Sequence, residues 1–364
     1  MIATLLLAAL LLLAGLFAFF LQQPQFGATP SGARLDRIRR SPNYRDGAFQ
    51  NRSPTPTLPE GVTYGDMLGL LFRRTADAAP KTPLPSVRTA LGAAPGDKPS
   101  ITWFGHSSYL IQLDGKNILV DPVFSGHASP VFFFGGSFKG SNVYSAADMP
   151  PIDILLLTHD HYDHLDYQTI RQLRPKVGQV VASLGLGAHL EHWGYPAGMI
   201  RELDWYETAV IDADLTIHAT PARHFSGRRF KRGQTLWSSF VLQGASANIY
   251  AGGDSGYDTH FKEIGAQYGP FDFALLECGQ YFHYWPLIHV LPEETAQAAA
   301  DLNARAFMPV HWAKFNLAPH AWRDPIERVT RHAQTLGLNI ATPRIGERVT
   351  IGEQYPAEAW WQNV

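Results

Sequence analysis

Residues 158–166 read Thr158-His159-Asp160-His161-Tyr162-Asp163-His164-Leu165-Asp166, and they directly follow the apolar run Ile152, Ile154, Leu155, Leu156, Leu157. That run has the length and apolar density of a buried strand, so the polar residues after it emerge together at its C-terminal end. In an extended segment His159 and His161 face the same way, which suits them to one metal ion. Asp163 and His164 follow after a turn and reach toward a second ion beside the first, with room for a shared water. A zinc finger needs a different spacing. The bland alternative, a polar loop rich in histidine by accident, has residue type, spacing and preceding strand against it.

The pattern H-x-H-x-D-H after an apolar strand resembles the metal motif of the metallo-β-lactamase superfamily, whose members are α/β hydrolases built as four-layer αββα sandwiches. Ile101-Thr102-Trp103-Phe104-Gly105-His106-Ser107-Ser108, Val120-Asp121-Pro122-Val123-Phe124-Ser125, Pro151-Ile152-Asp153 and Gly269-Pro270-Phe271-Asp272 are similar to the N-acylphosphatidylethanolamine-hydrolysing phospholipase D branch. The resemblance runs from residue 98 to about 350. Glu277-Cys278-Gly279-Gln280-Tyr281, followed by Phe282-His283-Tyr284-Trp285, departs from the animal enzymes around the substrate loop.

A dinuclear site of this type needs two more histidines and a bridging carboxylate, each at a strand end. His224 follows the alternating pattern Leu215-Thr216-Ile217-His218-Ala219 and would complete the first ion's set with His159 and His161. Asp254 lies among small residues after Ala247-Asn248-Ile249-Tyr250 and is the expected bridge. His311 ends the run Ala306-Phe307-Met308-Pro309-Val310 and would serve the second ion with Asp163 and His164. All three match the motif positions of the resembled family. Taken singly, a histidine after a strand is as often a capped or surface residue as a ligand. His218 reads as a structural residue within its strand, and His189, His192, His260, His320 and His332 as solvated helix or loop residues.

Ligating imidazoles need an acceptor at their other nitrogen. Asp121 resembles the supporting aspartate beneath the site, with a turn residue before Pro122 as the alternative. His106 is a second supporting candidate, and Asp166 either orients a motif histidine or caps the next helix. The resemblance puts His289 on the substrate side, where it would contact the scissile phosphate or assist the leaving group. A packing histidine before a helix opened by Pro292 is the other reading. Asp163 and Asp254 would take part in catalysis through the metals. The sole cysteine, Cys278, ends an apolar strand and reads as buried, and no G-x-S-x-G elbow is present.

Residues 1–22 hold an unbroken, uncharged apolar stretch, which as a helix spans about 30 Å, the thickness of a bilayer core. It reads as a retained transmembrane anchor in preference to a signal. Arg34, Arg37, Arg39, Arg40 and Arg45 beyond it point to a cytoplasmic catalytic domain, with the periplasmic side as the alternative and a solvated linker as the neutral explanation of the cluster. Residues 23–97, rich in Pro, Gly and Ala with an apolar patch at 67–72, read as a tether and an N-terminal extension packed on the main domain, not a second domain. The hydrolase domain then covers 98–352, with a tail at 353–364. Arg228, Arg229, Lys231 and Arg232 form a basic loop and Val131-Phe132-Phe133-Phe134 an aromatic one, each a candidate lipid contact or, more plainly, a solvated loop and a core segment.

The expected protein is therefore an αββα hydrolase with an N-terminal membrane-anchor helix and two zinc ions, or other divalent transition metals. Lys and Arg total 30 against 32 Asp and Glu, which argues against nucleic acid as a partner. The resemblance implies a membrane phospholipid substrate, cleaved to phosphatidic acid and an N-acylethanolamine. A lactonase acting on a small soluble ester and a non-catalytic metal-binding membrane protein are the alternatives. A homo-oligomer is compatible with the sequence.

Overall fold

The side chains of the run 152–157 divide between two cores. Ile154 and Leu156 join the larger cluster, while Leu155 and Leu157 join the smaller one, as a pleated strand covered on both faces requires. The computed structural model describes residues 1–70, 75–92 and 98–364.

Helix α1 (Ile2–Leu21) precedes α2 (Gly32–Arg40), a small hairpin of β1 (Tyr44–Arg45) and β2 (Ala48–Phe49), and the short α3 (Tyr64–Gly69). Then come β3 (Ser100–Trp103), β4 (Tyr109–Leu113), β5 (Lys116–Val120), β6 (Ile152–Leu157), α4 (Tyr167–Leu173), β7 (Val177–Ser183), α5 (Gly187–His192), β8 (Ile200–Leu203) and β9 (Thr208–Val210). The remainder is β10 (Leu215–Thr220), β11 (Ser239–Gly244), β12 (Asn248–Ala251), α6 (His260–Tyr268), β13 (Phe273–Glu277), α7 (Pro292–Asp301), β14 (Ala306–Val310), α8 (Asp324–Thr335), β15 (Asn339–Ile340) and β16 (Arg348–Thr350).

Two seven-stranded mixed sheets result, in the orders β16-β3-β4-β5-β6-β7-β8 and β15-β14-β13-β12-β11-β10-β9. Each is antiparallel on one side and parallel on the other, the parallel parts being β5 to β8 and β12 to β15. Ile101, Ile118 and Ile154 of the first sheet and Ile217, Phe240 and Ile249 of the second belong to one buried cluster between the sheets. Each such side chain contributes about 1.5–3 kcal/mol on burial. Ile170, Leu173 and Leu190 cover the outer face of the first sheet, and Phe261, Ala296 and Val329 that of the second. The layers are α, β, β, α, as the sequence led us to expect.

Both ends are held against the rest of the chain. Residues 353–364 are not a loose tail, because Trp360 and Trp361 are buried and Trp360 stacks on Trp312 with ring centroids 5.3 Å apart. They brace the strand end that carries His311. In the segment after α1, Ile38 and Phe49 pack with Trp205, Leu236 and Trp237 in a cluster of their own. Arg34 pairs with Glu191 and Glu202, each at 2.8 Å, and Arg37 with Glu207 at 2.6 Å. Two of the five arginines counted toward membrane orientation thus act as struts, and the charge argument for a cytoplasmic domain loses them. Of the apolar patch at 67–72, Leu71 and Phe72 lie outside the described residues.

Candidate metal centre

The strand-end positions meet at one place. His159, His161, Asp163 and His164 leave the end of β6, His224 follows β10, Asp254 follows β12, Glu277 closes β13 and His311 follows β14. Gly252 and Gly253 let the Asp254 loop lie flat on its neighbours: a Cβ at either would stand 2.5 Å from a backbone oxygen, of Leu275 and Ser238 respectively. The close approach is to other backbone, so the small residues serve sheet packing. His106, Asp121 and His311 all adopt positive φ (53°, 39° and 67°). For residues with a Cβ that backbone costs on the order of 1–3 kcal/mol each, and such strain gathers at functional sites. The His106 and His311 loops hold each other in place: His311 N–H donates to the His106 carbonyl and His106 N–H to that of Trp312, both at 3.0 Å.

Two groups of donors share Asp254. In the first, His161 Nδ1 stands 3.0 Å from His159 Nε2 and 3.1 Å from His224 Nε2. Asp254 Oδ2 lies 3.9 Å from His159 and 3.7 Å from His224. In the second, Asp163 Oδ2 is 3.5 Å from His164 Nε2 and 3.3 Å from His311 Nε2. Asp254 reaches this group too, with Oδ1 3.2 Å from His164 and Oδ2 3.1 Å from His311. Donors about 2.1 Å from one tetrahedral ion lie roughly 3.4 Å apart, which is the spacing seen.

The other imidazole nitrogens fix the tautomers, as assigned from their partners. His159 Nδ1 faces Thr158 Oγ1 at 3.0 Å, and that hydroxyl donates to Asp121. His164 Nδ1 donates to Asp121 at 2.8 Å and His224 Nδ1 to the Ile288 carbonyl at 2.8 Å. Each leaves its Nε2 lone pair pointing into the cluster. His164 Nε2 and Asp254 Oδ1 are buried without a hydrogen-bond partner, a costly arrangement unless a cation sits there. The donor set therefore fits divalent metal.

Electrostatics agree. Burial holds His159 and His224 well below the usual imidazole range and His161 at about 4, so they stand neutral, the form that ligates. Burial also opposes charge on His164 and His311, but Asp254 and Asp163 override it and lift both, His311 to about 10. The two carboxylates, held well below their usual range chiefly by His164 against the effect of burial, call for positive charge between them.

Among the supporting residues, Asp121 accepts from Thr158 N–H at 2.9 Å as well as from His164. His106 Nε2 meets Asp163 at 2.8 Å. Asp166 caps α4 through Gln168 N–H and does not reach a motif histidine. Cys278 is buried, as expected. His189 and His260 are buried, not solvated, and His320 accepts from Gln280 N–H at 2.9 Å. His218 bridges Thr208 and Gln243 on a partly open face of β10. Arg228, expected in an open basic loop, is buried. Its guanidinium donates to the carbonyls of Asp160 and Leu165 and lies 4.1 Å from the Tyr162 ring, backing the metal motif.

Sequence reasoning missed Glu277 and Asn51. Glu277 is buried; Oε1 accepts from Ser255 N–H at 2.8 Å and Val290 N–H at 3.2 Å, and Oε2 takes His289 Nδ1–H at 2.7 Å and lies 3.3 Å from His311. It is an acidic residue at a strand end, the signal that marked Asp254. His289 lines the cavity that contains Asp254 and His311, with Nδ1 3.9 Å from Asp254 Oδ2. Asn51 brackets the His224 peptide, donating to its carbonyl at 2.8 Å and accepting its N–H at 3.1 Å. Asn51→Ala strips both bonds, and each group left unsatisfied costs about 1–3 kcal/mol. A competition titration against a chelator should show metal bound at least tenfold more weakly, with the fold retained by circular dichroism.

Comparison with known proteins places these features. Residues 116–312 match the beta-lactamase superfamily domain, and the chain belongs to that superfamily of metal-dependent hydrolases. It is 39% identical over 331 residues to an uncharacterized protein of Mycobacterium tuberculosis, covering 88% of each chain. It is 32% identical over 228 residues to N-acyl-phosphatidylethanolamine-hydrolyzing phospholipase D 1 of Caenorhabditis elegans, covering 59% of this chain and 64% of that one. Among solved structures, the metallo hydrolase Igni18 of Ignicoccus hospitalis superposes with a TM-score of 0.55 at 22% identity, over 71% of this chain and all of that one, and so shares the fold.

Proposed function

We propose that this chain is a membrane-attached phosphodiesterase that hydrolyses N-acylphosphatidylethanolamine, or a close phospholipid relative, to phosphatidic acid and N-acylethanolamine. The observation that carries the reading is the cavity above the Asp254 cluster. It holds about 200 Å³, with apolar walls from Met67, Phe225, Trp285, Ile288 and Leu317 and one guanidinium, Arg232. It shares Thr57, His224, Phe225, Arg232, Trp285 and Ile288 with an outer cavity of about 470 Å³. Such a path suits a bulky amphiphile with one anionic centre. The nematode relative named for this lipid supports the choice of substrate.

In this reading His159, His161 and His224 with Asp254 hold one ion, and Asp163, His164 and His311 with Asp254 a second. Two Zn²⁺ suit the imidazole and carboxylate donors, as do other divalent transition metals. When bound, the ions would lower the pKa of coordinated water and neutralise charge building on the phosphoryl oxygens. Arg232 meets no carboxylate among the described residues and is free to orient the phosphate. His289, with Nδ1–H on the Glu277 carboxylate, would act as general acid in its imidazolium form, giving the Nε2 proton to the departing alkoxide and keeping the one on Nδ1. Helix α1, with no residue of Thr4–Leu21 buried, holds the enzyme in the bilayer.

The test is mass spectrometry of products after the metal-loaded full chain acts on vesicles containing N-acylphosphatidylethanolamine. Phosphatidic acid and N-acylethanolamine should form with the native chain, and neither with chelator nor with His311→Ala, which should also be metal-poor. Intact lipid beside rapid opening of a soluble lactone would reject the phospholipase reading in favour of the small-ester alternative.

A further inference from the structure

Aromatic side chains crowd the place where α1 meets the hydrolase domain. Phe132, Phe133 and Phe134, in the loop between β5 and β6, are 82%, 77% and 55% exposed, and Phe230, about a hundred residues on, is 78% exposed. The aromatic run is therefore not a core segment. Phe17 of α1 packs on Phe230 with ring centroids 6.1 Å apart. Phe20 lines one cavity with Phe132, Phe133 and Tyr162. From Phe20 the contacts continue through Phe26, at 5.0 Å, to Tyr162, at 6.4 Å, inside the metal motif. Lys231 and Arg232, beside Phe230, are exposed and pair with no carboxylate among the described residues.

We propose that Phe132, Phe133, Phe134 and Phe230 seat the hydrolase domain directly on the bilayer that holds α1, with Lys231 meeting anionic headgroups. Exposed apolar clusters of this kind mark interaction surfaces, and aromatic residues flanked by Lys and Arg suit the boundary of acyl chains and headgroups. A bilayer is the occupant because the patch is continuous with an uncharged apolar helix long enough to cross one. The same loop carries Phe225 and Arg232 on the wall of the metal-site cavity, so the cavity mouth opens beside the lipid surface. Substrate then enters sideways from the bilayer without crossing water. The inference rests on the membrane attachment proposed above and not on which lipid is hydrolysed.

The test uses the full chain in vesicles of phosphatidylcholine and phosphatidylglycerol. Cys278 is the sole cysteine and is buried, so an environment-sensitive fluorophore can be placed by Phe133→Cys, Phe230→Cys, Leu12→Cys within α1, or Leu336→Cys at the end of α8. Emission at 133, 230 and 12 should shift to the blue and be quenched by spin-labelled lipid, with neither change at 336. Quenching at 12 alone would overturn the proposal, because the domain would then stand off the bilayer. No quenching at 12 would overturn it by removing the attachment on which it rests. A blue shift at 133 that appears without lipid and grows with protein concentration would mark the face as a self-association surface and also overturn it. None of these readouts depends on turnover, so a failure of the lipid assignment is distinguishable.

Discussion

Replacing Asp254 by asparagine is expected to leave the fold intact and to cut hydrolysis by a factor on the order of 10³, the several kcal/mol that metal-borne charge stabilisation supplies. The substitution keeps shape and removes the anion that both donor groups share. Oδ2 lies 3.1 Å from His311 and 3.7 Å from His224, while Oδ1 lies 3.2 Å from His164. An amide turns one of these positions into a donor, so it faces an imidazole or a cation with the wrong polarity. Metal content by plasma mass spectrometry should fall with activity. A variant that keeps both its metal and its rate would show that Asp254 is not the bridge.

Glu277→Gln should cost about 10–100-fold in metal affinity or turnover, the usual effect of disturbing a group that orients ligands. The carboxylate accepts on both oxygens, from Ser255 and Val290 backbone on one side and His289 on the other. A carboxamide has one acceptor, so either the backbone pair or His289 meets an N–H where it needs an oxygen. Because His311 Nδ1 also lies 3.3 Å away, the loss passes to a metal-cluster residue. Chelator competition and kcat should both move. Unchanged values in a stable variant would reduce Glu277 to a packing role.

The fold and most of the cluster were legible because strand-end positions declare themselves locally. An apolar run followed by His or Asp marked His159, His161, His164, His224, Asp254 and His311, the motif at 159–164 made the later ones a set, and the family resemblance added Asp121. Glu277 carried the same signal, but the stretch around it was read for Cys278 and the substrate loop. Asn51 had no local mark, since its partner His224 is 173 residues away. The same remoteness hid the roles of Arg34, Arg37 and Arg228. Their acceptors, Glu202, Glu207 and the Asp160 carbonyl, come from other parts of the chain, so a basic cluster read as solvated or membrane-facing. His189 lies in a helix of six residues, too short for periodicity to separate a buried from an open face. The C-terminal tryptophans were missed because nothing in a short polar tail foretells that Trp360 stacks on Trp312, the neighbour of His311, with Trp361 edge-on to the same ring.

The most direct measurement on the central claim is hydrolysis of N-acylphosphatidylethanolamine vesicles in water enriched in oxygen-18, with both products weighed by mass spectrometry. Attack of water on phosphorus with loss of the ethanolamide predicts one heavy oxygen in phosphatidic acid and none in N-acylethanolamine. Diacylglycerol with a labelled N-acylphosphoethanolamine, or label carried into a released fatty acid, would contradict it.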